Sequence, residues 1–145
     1  MKAVIQRVRH TSLKVDGKLV SEIPFGLAVY LGVKCGDTVM QADAVAKKIS
    51  KLRIFEDSNG KMNLSVADVG GEILLISQFT LYGDCSHGNR PSFIEAERPE
   101  AANSLYLYTA EQLRSLGMTV KTGVFGADMK IEQFNDGPVT IIYEI

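Results

Sequence analysis

Ile73-Leu74-Leu75-Ile76-Ser77-Gln78-Phe79 is an unbroken apolar run that turns polar at its end. A run this short and rich in branched residues predicts a strand buried on both faces. Its neighbours frame it: Gly70-Gly71 makes a turn before it, and the polar stretch 80–98 follows as a long loop. A loop of that length without structure of its own usually has a job. Upstream, Leu27–Val33 is a second buried strand and Lys2–Val8 another. Ser12–Val15 and Lys18–Ile23 flank Asp16-Gly17, the pattern of a tight hairpin.

Two segments carry helical spacing instead. Asp37 or Thr38 caps a helix with Val39, Ala42, Ala46, Ile49 and Leu52 (or Arg53) on one face. Pro99 and Gly117 bracket a second, with Leu105, Tyr108 (or Thr109), Gln112/Leu113 and Leu116 along a stripe. Ser58-Asn59-Gly60 reads as a turn before a strand at Leu64–Val66. Met118–Thr122, Met129–Phe134 and Val139–Ile145 read as closing strands, with Asn135-Asp136-Gly137-Pro138 as the turn between the last two. Strands outnumber helices without alternating regularly. That predicts an α+β fold: antiparallel or mixed β-sheets, barrel-like or in a layered β-β-α sandwich, with two main helices packed on one side.

The composition fits one globular domain spanning 1–145, with 46% hydrophobic and 23% charged residues. No run is long enough to span a bilayer, and Gln6 and Arg7 interrupt any signal-peptide core. Two cysteines are too few for a disulfide scaffold, so a cytoplasmic location is expected. The net charge of −1 argues against a generic nucleic-acid coat, yet the charge is unevenly spread. Residues 1–61 hold 11 Lys/Arg against 6 Asp/Glu, whereas 62–145 hold 5 against 11.

Chemistry-bearing residues are few. His10, Cys35, Cys85 and His87 lack the spacing of a zinc site, so neither metal nor other cofactor is expected. Gly83 to Arg90 echoes a phosphate loop but lacks its Lys-Ser/Thr, and Gly123-x-x-Gly126 is weaker; both read as turns. Cys85 and His87 stand two apart and suit exposed loop positions better than a catalytic pair. Ser77-Gln78 at a strand exit is either an ordinary turn or a source of hydroxyl, amide and free backbone N–H groups for an oxyanion. Gly137-Pro138 is either a plain turn or a cis bond with a purpose.

Ser77-Gln78-Phe79-Thr80-Leu81 together with Asn135-Asp136-Gly137-Pro138-Val139-Thr140 resembles the paired signatures of the D-aminoacyl-tRNA (D-tyrosyl-tRNA) deacylases. Supporting matches include Ile5–Val8, Arg53–Phe55, Gly60–Leu64, Arg90–Phe93, Thr122-Gly123 and Ala127–Met129. The resemblance implies hydrolysis of the ester of D-aminoacyl-tRNA by a homodimer, with Ser77, Gln78, Phe79 and Thr80 lining the catalytic pocket. It implies a cis Gly137-Pro138 from the partner subunit that blocks L side chains, and Arg7 holding that loop. Glycine, lacking a side chain, escapes such a block, so glycyl-tRNA such as that mischarged on the alanine tRNA is an expected substrate.

The partners implied are the 3′ end of aminoacyl-tRNA and a second copy of the chain, with no membrane and no DNA. The basic footprint then comprises Lys2, Arg9, Lys14, Lys18, the Lys47–Arg53 face and Arg90. Two other classes compete: a non-catalytic RNA- or ligand-binding module using Lys47, Lys48, Lys51 and Arg53, and a general esterase using Ser77, Thr80 or Cys85.

Overall fold

The computed structural model describes residues 1–145. Eight strands and two helices follow in the order β1 (Lys2–Val15), β2 (Lys18–Ile23), β3 (Gly26–Gly32), α1 (Val39–Lys51), β4 (Phe55–Glu56), β5 (Met62–Leu64), β6 (Glu72–Ser77), α2 (Pro99–Ser115), β7 (Val120–Thr122) and β8 (Met129–Glu144). The main sheet runs β2-β1-β3-β6-β7, and β8 pairs with β1 along its free side. Pairing is antiparallel around β1 and parallel for β3–β6 and β6–β7. The fold is α+β with a mixed sheet, as the unequal run of strands and helices predicts.

The apolar runs of β3 and β6 are explained by two cores. Leu27, Val29, Leu31, Ile73 and Leu75 face one, together with Ala42, Val45, Ala46 and Ile49 of α1 and Ala102, Tyr106, Ala110 and Leu113 of α2. Ala28, Leu74 and Ile76 face the other, where β1 contributes Val8 and Leu13, β2 contributes Ile23, and Met129 and Ile131 of β8 pack alongside. Each strand is thus sandwiched, and neither face tolerates polar alternation. The helices cover one side; the curled ends of β1, β2 and β8 close over the other, giving the layered, barrel-like shape.

Several boundaries differ from the sequence reading. Lys2–Val8 and Ser12–Val15 form one continuous 14-residue strand, because β8 pairs with both halves. The hairpin stands: Asp16 and Gly17 both have positive φ (50° and 77°), the type I′ geometry. Thr38 caps α1 in a reciprocal capping box with Gln41, but Val39 is exposed and Val45 takes its place in the core. The buried stripe of α2 is Ala102, Tyr106, Thr109, Ala110 and Leu113, while Leu116 is exposed. β6 ends at Ser77, so Gln78 and Phe79 lie beyond it, and Phe79–Tyr82 coil into a 3-10 turn. The β5 strand stops at Leu64, before Val66.

The largest correction concerns Asn135–Pro138. Met129–Phe134 and Val139–Ile145 are not two strands joined by a turn. β8 runs as one strand from Met129 to Glu144, paired with β1 on both sides of residues 136–139. The register steps from Val8↔Asn135 to Gln6↔Thr140, so Arg7 alone faces residues 136–139. Gly137-Pro138 is therefore the crest of a wide bulge, where a proline needs no ladder donor.

Candidate active site at the end of β6

A cavity of about 620 Å³ opens where β6 ends, floored by Leu31, Ile76 and Ser77 and walled by Ala102 and Tyr106 of α2. Gln78 and Phe79 form part of its rim beside Phe93, and Phe125 and Met129 line it as well. β6 delivers these groups because its last ladder contact is Leu31↔Ser77, and the Gln78 N–H still donates to the Leu31 carbonyl at 2.9 Å. The chain then turns sharply. The Phe79 and Thr80 N–H groups donate to no protein acceptor, since the 3-10 turn bonds only from Leu81 onward.

Gln78 donates from Nε2 to Thr80 Oγ1, which fixes the amide relative to the turn. Thr80 stands on the turn beside the cavity and is not among its lining residues. Phe79 is 57% exposed and meets Phe93 edge-on at 5.2 Å between centroids. Such an exposed aromatic pair at a cavity mouth offers a flat apolar surface for a planar ring. At the back, Tyr106 donates to the Leu75 carbonyl at 2.8 Å, and burial pushes its hydroxyl up to about 12. Glu97, also lining the cavity, is held below the usual carboxylate range by the Arg98 and Gly36 backbone N–H groups.

Gly137-Pro138 is cis and lies elsewhere. It faces Arg7, which pairs with Leu27 at the opposite end of β3 from Leu31. Four strand residues separate the two levels, roughly 13 Å at 3.3 Å per residue. Arg7 is buried and grips the bulge: Nε donates to the Asp136 carbonyl at 3.1 Å and stands 3.3 Å from Asp136 Oδ2. Its Nη1 donates to the Ile54 carbonyl at 2.9 Å. Gly137 has φ +126°, and a Cβ there would stand 2.8 Å from Val139 Cγ2 and 3.4 Å from Arg7 Nη2. Only glycine suits that position.

The remaining candidates fall outside the cavity. Cys85 and His87 are exposed, and His87 borders a separate polar hollow with Lys2, Tyr82 and Arg90. The Gly83–Arg90 stretch has no helix after it to cradle a phosphate; Asp84 instead bridges Ser92. His10 pairs with Glu22 at 2.6 Å on the surface. Sequence reasoning missed Ala102, Tyr106 and Phe125, which reach the cavity from α2 and the segment before β8. Their only signal was a small residue one helical turn before an aromatic one, which any packed helix also shows.

Comparison with known proteins identifies the family and the fold. The family described as D-Tyr-tRNA(Tyr) deacylase matches residues 4–144. A D-aminoacyl-tRNA deacylase from Geobacillus sp. (strain WCH70) is 54% identical over 144 residues, covering 99% of this chain and 95% of that protein. One from Bacillus cytotoxicus is 51% identical, covering 99% of both. Among solved structures, the c-Myc DNA Unwinding Element Binding Protein superposes with TM-score 0.94 at 43% identity, covering 100% of this chain and 99% of the other. A probable eukaryotic D-amino acid tRNA deacylase shares the fold, with TM-score 0.84 at 17% identity over 99% of this chain and 98% of its own. With the family match spanning nearly every residue and both signature segments in place, the chain belongs to the D-Tyr-tRNA(Tyr) deacylase family.

Proposed function

We propose that this protein is a D-aminoacyl-tRNA deacylase, a cytoplasmic carboxylic-ester hydrolase whose single domain, residues 1–145, works as a homodimer. The observation that carries the reading is the cavity at the end of β6, where Ser77, Gln78 and Phe79 meet unpartnered N–H groups. The terminal adenosine stacks against Phe79 and Phe93, and the scissile ester lies beside Gln78. Water attacks the ester carbonyl, and the Phe79 and Thr80 N–H groups hold the oxyanion. The carbon–oxygen bond to the ribose then breaks, the ribose oxygen takes a proton, and the free amino acid leaves. Thr80 orients through Gln78. An aminoacyl ester is already reactive, so positioning carries the rate without a Ser-His-Asp set.

Stereoselection comes from the second subunit. Gly137-Pro138 stands roughly 13 Å along the strands from the level where its own cavity opens, and Arg7 holds its exposed bulge in place. Presented to the partner's cavity, its carbonyls meet the substrate α-ammonium and leave no room for an L side chain. A D side chain points away, and glycine has none, so both are cleaved. No helix is long and apolar enough to cross a membrane.

The test is deacylation of matched D-tyrosyl-, L-tyrosyl- and glycyl-tRNA by the purified protein. D and glycyl esters should be hydrolysed and the L ester spared; equal rates for D and L would overturn the wall. The name of one similar structure speaks of DNA, so duplex DNA belongs in the same assay as competitor. It should displace tRNA poorly.

A further inference from the structure

Five cations that form no ion pair run from α1 towards the loop held by Arg7, and one of them, Lys48, has its Nζ over the Tyr143 ring at 5.2 Å. Lys47, Lys48 and Lys51 project from one face of α1 within a single turn, about 6 Å of helix. All three are exposed, and none forms an ion pair. Arg53 follows, its Nε donating to the Asn63 carbonyl at 2.7 Å, which brings the β4–β5 hairpin and exposed Lys61 alongside. The next carbonyl, that of Ile54, is held by Arg7, and the same guanidinium holds the carbonyl of Asp136. One buried side chain thus ties the end of the cationic track to the residue preceding Gly137.

None of the nearby carboxylates pairs with this track: Asp43, one helical turn before Lys47, accepts from the Tyr108 hydroxyl at 3.0 Å. Asp57 accepts from the Asn59 and Lys61 backbone N–H groups, and Asp68 from that of Ser65, so both are turned onto the main chain. Glu56 lies within 3.9 Å of Arg7, itself buried. Five neighbouring cations without a carboxylate partner suit a phosphodiester backbone.

We propose that the tRNA strand entering each cavity is gripped by the other subunit, through Lys47, Lys48, Lys51, Arg53 and Lys61. This rests on the cross-subunit placement of Gly137-Pro138: if that segment reaches the partner's cavity, the track anchored to it borders the same mouth. One subunit then cleaves the ester while its partner supplies both the chiral wall and the backbone grip.

Mixed dimers carrying two different tags decide the matter. In the first, one chain has Gln78→Ala and the other Lys47→Ala/Lys48→Ala/Lys51→Ala. In the second, all four substitutions sit on one chain and the other is wild type. Each dimer keeps one competent cavity, and Ser77→Trp serves as a second way to disable the other. A grip from the partner leaves the first dimer as fast as a Gln78→Ala/wild-type dimer, because its intact lysines face its competent cavity. The second dimer should lose kcat/KM at 50 mM salt. Losing three phosphate contacts should also flatten its salt response between 50 and 200 mM by roughly 40-fold.

A slow first dimer with a fast second would mean that the lysines serve their own cavity, and equal behaviour of the two dimers would overturn the proposal as well. A control dimer separates this from the reading beneath it, with Gln78→Ala on one chain and an alanine inserted between Gly137 and Pro138 on the other. If the control is inactive, the wall itself does not cross the interface. If it is active while the lysine pattern fails, only the grip is wrong.

Discussion

Replacing Arg7 with methionine removes a charge while keeping most of the side chain's volume, so its effect isolates the guanidinium. That group is buried, with its side chain only 7% exposed. It donates to the Ile54 and Asp136 carbonyls and pairs with the Asp136 carboxylate at 3.3 Å. Hydrogen bonds from a charged donor contribute about 1.5–3 kcal/mol each, and removing one partner of a buried pair costs about 3–5 kcal/mol. Asp136 keeps some solvent contact, at 21%, so the lower end applies, about 3 kcal/mol. For a domain of this size that lowers Tm by roughly 6–12 °C. Arg7→Lys keeps the charge but cannot reach both carbonyls from one ammonium, and should recover about half of the loss.

Two readouts are needed. Urea unfolding gives the stability, and hydrolysis of D- against L-tyrosyl-tRNA gives the selectivity. If Arg7 holds the bulge, Arg7→Met loses about 3 kcal/mol and its D/L rate ratio falls at least tenfold, with the L rate rising. Stability within about 0.5 kcal/mol of wild type, the scatter of ordinary surface changes, together with an unchanged ratio would refute the reasoning. A stability loss with an intact ratio would leave Arg7 as a core residue that does not orient the wall.

Other outcomes follow from single contacts. Gly26→Ala places a Cβ 1.9 Å from the Glu72 carbonyl oxygen at φ +139°, where the parallel β3–β6 pairing begins; soluble folded yield should collapse, as a solubility and circular dichroism comparison would show. Phe79→Ala removes an exposed ring that touches Phe93 but supports no core, so urea stability should change by less than about 1 kcal/mol while kcat/KM falls at least tenfold. Asp57, Asp68, Asp84 and Glu97 all have lowered pKa values, chiefly from backbone N–H bonds. Carboxylates lowered on folding stabilise the protein above their ordinary pKa of about 4 and lose that contribution as pH falls through the folded values. Tm should therefore be level from pH 7 to about 5 and drop below pH 4, with Asp68→Asn showing a shallower acid decline.

The legible parts of the fold are those where local chemistry and tertiary packing agree. Asp16-Gly17 specifies its turn by φ alone, Thr38 and Gln41 cap a helix from within four residues, and β3 and β6 announce double burial by having no polar alternation. The helix stripes were harder. Ala102 and Ala110 carry little apolar weight, yet they let α2 approach the sheet closely enough for Tyr106 to reach the Leu75 carbonyl. Val39 reads as core but sits at the first residue of α1, where the face has not yet turned inward. The place of Ser77, Gln78 and Phe79 at the cavity was legible because a buried strand must end somewhere definite, whereas Thr80 stands beside the lining. The rest of the lining was not legible, because Phe93, Phe125 and Met129 arrive from segments remote in sequence.

Asn135–Pro138 misled for a reason tied to the role proposed for it. Glycine followed by proline breaks a ladder, and a break between two apolar strands normally means a turn. Here β1 continues opposite the break, with Val8↔Asn135 on one side and Gln6↔Thr140 on the other. The difference matters for the proposed wall, which would select by shape. Discriminating enantiomers by 10⁴ requires about 5.5 kcal/mol, and a wall that yields to an incoming methyl group forfeits most of that. A hairpin tip has nothing across from it and yields readily. Residues 136–139 are clamped at both ends by the ladder and at their first residue by a buried guanidinium bonded to the Asp136 carbonyl. Their stiffness is thus a property of the long β1–β8 pair and of Arg7, so substitutions in β1 should relax chiral selection as surely as changes to Gly137 or Pro138.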